Sequence, residues 1–191
     1  MIQKKYLYCV VLLWLLLASS SILFVMNYDF ISNTQSKIEL KISPYQLYVF
    51  LHPYCPCSNA TLHELDSLLN KLQKTSRTIL KTQIIFFKPG NDIKKWEKSI
   101  LWKNSHTLNN VEIRVDWDGK LSQRYQAKTS GETMLFNKDG QRLFDGGITI
   151  SRGHEGDNPG KEYIYRLVTH QKTNQTDSPV FGCPLFGKIK K

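Results

Sequence analysis

Eleven residues, Tyr48-Val-Phe-Leu-His-Pro-Tyr-Cys-Pro-Cys-Ser58, constrain this chain more than any other stretch. Tyr48 to Leu51 are apolar and β-favouring, and predict a buried strand. His52, Pro53 and Tyr54 break it, and two cysteines follow one residue apart, Cys55 and Cys57. After Ser58, leucines recur at helical spacing at positions 62, 65, 68, 69 and 72. Strand, turn, cysteines and helix, in that order, put the thiols at a helix N-terminus. The unpaired N–H groups and the positive end of the helix dipole there favour a thiolate, and the thiolate is both the nucleophile and the metal ligand. The competing readings are two small buried hydrophobes or a static disulfide. A bridge across one residue closes a tight ring that Pro56 stiffens further, and strain makes a disulfide easier to reduce. His52, three residues before Cys55, serves as a base or ligand, or simply ends the strand.

The remaining chain alternates strands and helices. Ile38 to Ile42 alternates as a short edge strand. Ser58 or Asn59 caps the first helix, which fades near Thr75-Ser76. Ile79 to Phe87 is a second strand, and its core Ile84-Ile85-Phe86-Phe87 implies burial on both faces. Asp92 caps a second helix with Ile93, Trp96 and Ile100 inward. Val111 to Val115 is a third strand, Asp116 to Gly119 a turn, and Leu121 to Tyr125 a helical turn. Thr133 to Phe136 and Gln141 to Phe144 flank Asn137-Lys-Asp-Gly140 as a hairpin. Pro159 starts a last helix through about Val168. A polar stretch, His170 to Ser178, precedes a tail containing Phe181, Gly182, Cys183, Pro184, Leu185 and Phe186. The tail either docks and brings Cys183 to the cysteine pair, or stays a loose end with an incidental thiol. Strands separated by helices, then a hairpin, imply an α/β, three-layer domain: a central mixed sheet with helices on both faces.

This order, with Tyr54, Cys55 and Cys57 at the helix start, resembles the thioredoxin superfamily. Tyr54 stands where thioredoxins carry tryptophan, and Cys55 matches their attacking cysteine. Two departures are visible: only Pro56 separates the cysteines, where the family has two residues, and Lys128-Thr-Ser-Gly-Glu-Thr133, where the family places a cis-proline loop, has no proline. The motif His-Pro-Tyr-Cys-Pro-Cys-Ser, with Gly146-Gly-Ile-Thr149 and Phe181-Gly-Cys-Pro-Leu185, also resembles the RedB-like group of membrane-anchored bacterial thioredoxin-like proteins. The resemblance implies a thiol–disulfide oxidoreductase without cofactor that acts on protein thiols or disulfides. Cys55 would attack, and Cys57 or Cys183 would resolve the mixed disulfide. A second reading resembles the copper-assembly branch of the superfamily: the single-residue spacing and the missing loop proline favour metal, and Cys55 and Cys57, with His52, His154 or Cys183, would hold soft Cu(I). A third is a non-catalytic interaction domain of the same fold. A peroxidase is disfavoured, because the family's Pro-x-x-x-Thr-x-x-Cys pattern is missing around Cys55.

Lys4-Lys5 precede Tyr6 to Met26, 21 residues without a charge. That is long enough to cross a bilayer core of about 30 Å and outlasts a signal-peptide core of about 7–15 residues. The leading lysines keep the N-terminus in the cytoplasm. The expectation is a single-pass protein of the bacterial inner membrane with its domain in the periplasm. Cys9 lies within the run as a packing residue, which leaves three cysteines facing an oxidising compartment, one pair and one over. The expected organisation is an anchor over 1–26, a tether over 27–44, a thioredoxin-like domain over 45–170 and a tail over 171–191. Net charge is +10, and beyond the anchor 24 basic residues face 16 acidic ones. The basic residues are scattered and no nucleic-acid motif accompanies them, so no nucleic-acid partner is expected. The glycine-rich stretch 146–160 carries His154, Glu155 and Asp157 but no nucleotide fingerprint, and reads as a structural loop.

Overall fold

The computed structural model describes residues 41–88 and 99–186, with Trp14 and Glu97 besides. The run Tyr6–Met26 lies outside the described residues, Trp14 apart. So does the expected helix start at Asp92, with Ile93 and Trp96. Among the described residues, no helix is long and apolar enough to cross a membrane.

β1 (Lys41–Leu51) leads through the cysteine turn into α1 (Ser58–Ser76), followed by β2 (Thr78–Lys88). Then come α2 (Ile100–Ser105), β3 (Val111–Trp117), α3 (Lys120–Tyr125), β4 (Glu132–Phe136), β5 (Arg142–Gly147), α4 (Pro159–Val168) and β6 (Asp177–Ser178). They build one six-stranded sheet in the order β3-β2-β1-β4-β5-β6. β1 is central, parallel to β2 and antiparallel to β4. The expected first strand, Tyr48 to Leu51, is the buried end of β1. The strand itself starts earlier, inside the stretch expected to be tether. The register shifts between Ile42 and Gln46, where Pro44 has no N–H to donate to the ladder.

The sheet is covered on both faces, as the continuous apolar run of β2 requires. Ile84 and Phe86 point into one cluster with Leu62, Leu65, Leu68 and Leu72 of α1 and Ile164 and Val168 of α4. Ile85 and Phe87 point into the other, with Phe50, Met134, Ala127 and Leu185. Leu185 belongs to the C-terminal segment expected as a tail over 171–191, either docked or loose. That segment is docked and forms part of the domain. β6 extends the sheet by pairing parallel with β5, Thr129 and Pro184 form an antiparallel bridge, and Leu185 plugs the second face.

Two local expectations are corrected. Cys57, not Ser58 or Asn59, is the N-cap residue of α1, and no side chain caps that end. Ile100 was expected inward but is 70 % exposed, while Leu101 is buried. Ser99 caps α2 by accepting from the Trp102 N–H, which sets Ile100 outward and lays Trp102 edge-on against Phe86, 5.2 Å between centroids.

Candidate functional site

The end of β1 and the start of α1 place the first two cysteines. The Cys55 N–H donates to the His52 carbonyl at 3.0 Å, and the Ser58 N–H to the Cys55 carbonyl at 3.2 Å. These bonds close the turn so that α1 begins immediately after the second cysteine. Cys55 is buried, Cys57 half-buried, and both are free thiols, as is buried Cys183.

The loop between α3 and β4 faces them. The Gly131 N–H donates to the Phe50 carbonyl at 2.7 Å, and its φ of +96° is a backbone that side chains rarely adopt. Beside it, the Ser130 N–H donates to the Cys183 carbonyl, and the Leu185 N–H to the Lys128 carbonyl, each at 2.8 Å. The C-terminal segment thus runs antiparallel along this loop. Gly182 is required there, because a Cβ at that position would fall inside contact distance of the Ser130 carbonyl. Beneath the loop, the buried carboxylate of Glu132 accepts from the N–H groups of Lys128 and Thr129 at 2.8 and 3.0 Å. The stretch has no proline, and among the described residues no peptide bond is cis.

Cys183 is thereby carried to Cys55, 128 positions away in sequence. Burial pushes the Cys55 thiol up, but donors converge on its sulfur: the Ser58 hydroxyl, the Cys183 thiol, and the backbone N–H groups of Cys183 and Cys57. Together they outweigh burial and hold Cys55 below the ordinary thiol value. Its two neighbours move the other way. Burial, then the hydrogen bond and the charge of Cys55, push Cys183 up to about 12. Burial, then the Cys55 charge, also raise Cys57, with Arg152 opposing. The site therefore favours the thiolate at Cys55 and the protonated thiol at its two neighbours.

The histidines do not join it as ligands. His52 is buried, its Nδ1 accepts from the Tyr54 N–H at 3.2 Å, and its ring lies against Phe87 at 5.6 Å. His154 is exposed, with Nδ1 2.9 Å from the Arg152 carbonyl oxygen. The expected copper set of Cys55, Cys57, His52 and His154 is not assembled. Among the described residues no group of three or more His, Cys, Asp or Glu is placed to hold a metal ion. The glycine-rich loop is structural on its far side: Glu155 meets His63 at 2.5 Å, the Gly156 N–H donates to Glu64, and Lys161 pairs with Glu64. Its near side reaches the site, where Gly153 approaches the Cys57 backbone.

Sequence reasoning named all three thiols but missed Ser58 and Ser130 as their supports, and Arg152 as the nearby charge. Ser58 was legible as a helix-start serine directly after the cysteine pair, but its hydroxyl serves the site rather than the cap. Ser130 left no signal, because its partners, His52 and Cys183, are distant in sequence.

No family model and no curated protein matches the sequence. Solved structures do. An uncharacterized conserved protein from Geobacillus kaustophilus superposes with a TM-score of 0.58 at 19 % identity, over 80 % of this chain and 82 % of that one. A SCO1/SenC family lipoprotein from Bacillus anthracis gives 0.50 at 13 % identity, over 69 % and 82 %. The exposed lipoprotein thioredoxin of Streptococcus pneumoniae gives 0.43 at 16 % identity, over 71 % and 88 %.

Proposed function

Starting from the thioredoxin-like fold of this chain, we propose that it is a thiol–disulfide oxidoreductase, anchored in the inner membrane by Tyr6–Met26 with its domain in the periplasm. The observation that carries this reading is the convergence of a hydroxyl, a second thiol and two backbone N–H groups on the buried Cys55 sulfur.

Cys55 attacks a partner disulfide as a thiolate. A mixed disulfide forms, and the partner's second sulfur leaves as a thiolate. Cys55 has then lost its negative charge. That charge and its hydrogen bond are, after burial, what hold the Cys183 proton in place. Once they are gone, Cys183 releases its proton more readily, to the departed thiolate, and its sulfur attacks Cys55. The Cys55–Cys183 disulfide forms and the first partner sulfur is expelled. The partner disulfide has gained two electrons and the chain's dithiol has lost two, and an external dithiol reverses the sequence. The order is built in, because the resolving thiol stays protonated until the attacking one has reacted. Cys57 is released by the same loss of charge, but a Cys55–Cys57 bridge closes a ring across Pro56 alone, so Cys183 is the resolving thiol here.

Gentle oxidation of the domain, digestion and mass mapping test this reading. A Cys55–Cys183 peptide is the expected product. If Cys183 stays freely alkylated while Cys55 and Cys57 pair only with each other, the relay fails. If no pair forms and all three thiols are shielded by added Cu(I), the copper reading replaces it.

A further inference from the structure

Three hydrogen bonds lead from the end of β1 to the Cys55 sulfur. The His52 N–H donates to Ser130 Oγ at 2.7 Å. Ser130 Oγ and Ser58 Oγ lie 2.7 Å apart. The Ser58 hydroxyl bonds the Cys55 sulfur. Both serines are 1 % exposed, so water does not compete along the chain.

The direction of the chain follows from donor and acceptor chemistry. A backbone N–H only donates, so Ser130 Oγ accepts from His52 and keeps its own proton free. A thiolate only accepts, so Ser58 gives its proton to the sulfur and its oxygen is left to accept. The Ser130 proton therefore goes to Ser58. Each hydroxyl accepts on one side and donates on the other, with every proton pointing toward the sulfur, and bonds aligned in this way polarise one another.

We propose that Ser130 is a positioning residue for Cys55: its hydroxyl, fixed by the His52 N–H, holds the Ser58 hydroxyl in the orientation that donates to the sulfur. The proposal rests on Cys55 being the attacking thiol. The Ser130 main chain has a separate task, since its N–H holds the Cys183 carbonyl, and a side-chain substitution leaves that bond available. The titratable groups facing Cys55 are Cys57 across Pro56 and Cys183 from the C-terminal segment. Arg152 of the glycine-rich loop bears on those two, and the His52 ring is turned to the Tyr54 N–H.

The test is the rate at which iodoacetamide alkylates Cys55 against pH. It uses full-length protein with all cysteines present, each Cys55-containing peptide being quantified by mass. Ser58→Ala removes the direct donor and is expected to slow alkylation about tenfold below the midpoint, which is a rise of about one pH unit. Ser130→Ala moves the midpoint the same way and slows the reaction about threefold. The double variant matches Ser58→Ala alone, because the two act in series. Ser130→Thr keeps the hydroxyl and restores the wild-type profile, while Ser130→Val, of the same shape, behaves as Ser130→Ala. The Thr and Val pair separates hydroxyl from shape if Ser130→Ala folds poorly. A Ser130→Val profile equal to that of Ser130→Thr overturns the proposal, as does a double variant whose slowing is the product of the single ones. A wild-type midpoint at the free-thiol value of about 8.5 defeats the attacking-thiolate reading itself. A low wild-type midpoint that Ser130→Ala leaves in place defeats only the role of Ser130.

Discussion

Truncating Leu185 to alanine tests whether the C-terminal segment is a separately releasable part of the site. Leu185 is fully buried among Phe50, Ile85, Phe87, Ala127 and Met134. Leu185→Ala deletes three carbons from that cluster and leaves a cavity, a loss of about 3 kcal/mol within a range of about 2–5. The segment's other attachments are the Leu185 N–H to Lys128 and the Ser130 N–H to the Cys183 carbonyl, the Cys183 thiol and N–H on the Cys55 sulfur, and the edge contact of Phe186 with Phe87. At about 1 kcal/mol net for each such bond, the leucine side chain is the largest single attachment. Its loss is therefore expressed as local release of the segment 181–186 rather than unfolding of the sheet. At 1.4 kcal/mol per tenfold, about 3 kcal/mol raises the released population about a hundredfold. Alkylation of Cys183 under native conditions is expected to accelerate by that factor, with only a small fall in the global unfolding midpoint. Gly182→Ala should give the same phenotype without touching the core, because its Cβ meets the Ser130 carbonyl, a backbone group that cannot swing away. If Cys183 in Leu185→Ala reacts at the wild-type rate while global stability drops by the full amount, the segment is not an independent unit and the reasoning fails.

Burial holds the Glu132 carboxyl above the usual carboxylate range, against the N–H donors of Lys128 and Thr129. With the folded value raised, the stability from this group is complete below its unfolded value and is lost as pH rises through the folded one. Glu132→Gln, neutral at every pH, should therefore melt higher than wild type at pH 7, with the advantage gone below about pH 4; thermal melts at both values decide it, and a gain confined to acid refutes it. Cys183→Ser should lengthen the life of mixed disulfides with a partner peptide, read by mass on quenched samples, and an unchanged lifetime would return the resolving role to Cys57. A periplasm-only reporter enzyme fused after Lys191 is expected to be active, and release of the chain from membranes by a salt wash would sink the anchor.

What the chain determines by itself is local. Tyr48 to Leu51, Ile84 to Phe87 and the hairpin around Asn137-Lys-Asp-Gly140 are legible because strand burial follows from short apolar runs and turn chemistry. The leucines of α1 are legible because nineteen residues give a helical period time to repeat. Asn158 capping by accepting from the Lys161 N–H, with Pro159 in the first turn, is the same kind of short-range signal. The phase of α2 was misread at Ile100, since six residues are fewer than two turns. Its buried face is set by Leu101 and Trp102 meeting residues from other elements. The extent of the domain was also drawn too narrowly at both ends, because β6 and Leu185 become structure only against strands and a face that the sheet must form first.

The site divides along the same line. Cys55 and Cys57 are placed by adjacent sequence, strand then turn then helix, and their chemistry follows from that order. The roles of Cys183, Ser130 and Arg152 arise only where the α3–β4 loop, the glycine-rich loop and the C-terminal segment meet the start of α1. Which thiol is the more acidic is likewise a tertiary outcome. A helix start favours a thiolate at either cysteine of the pair, and it is the hydroxyl of Ser58 and the thiol and N–H of Cys183, gathered on one sulfur, that lower Cys55 rather than Cys57.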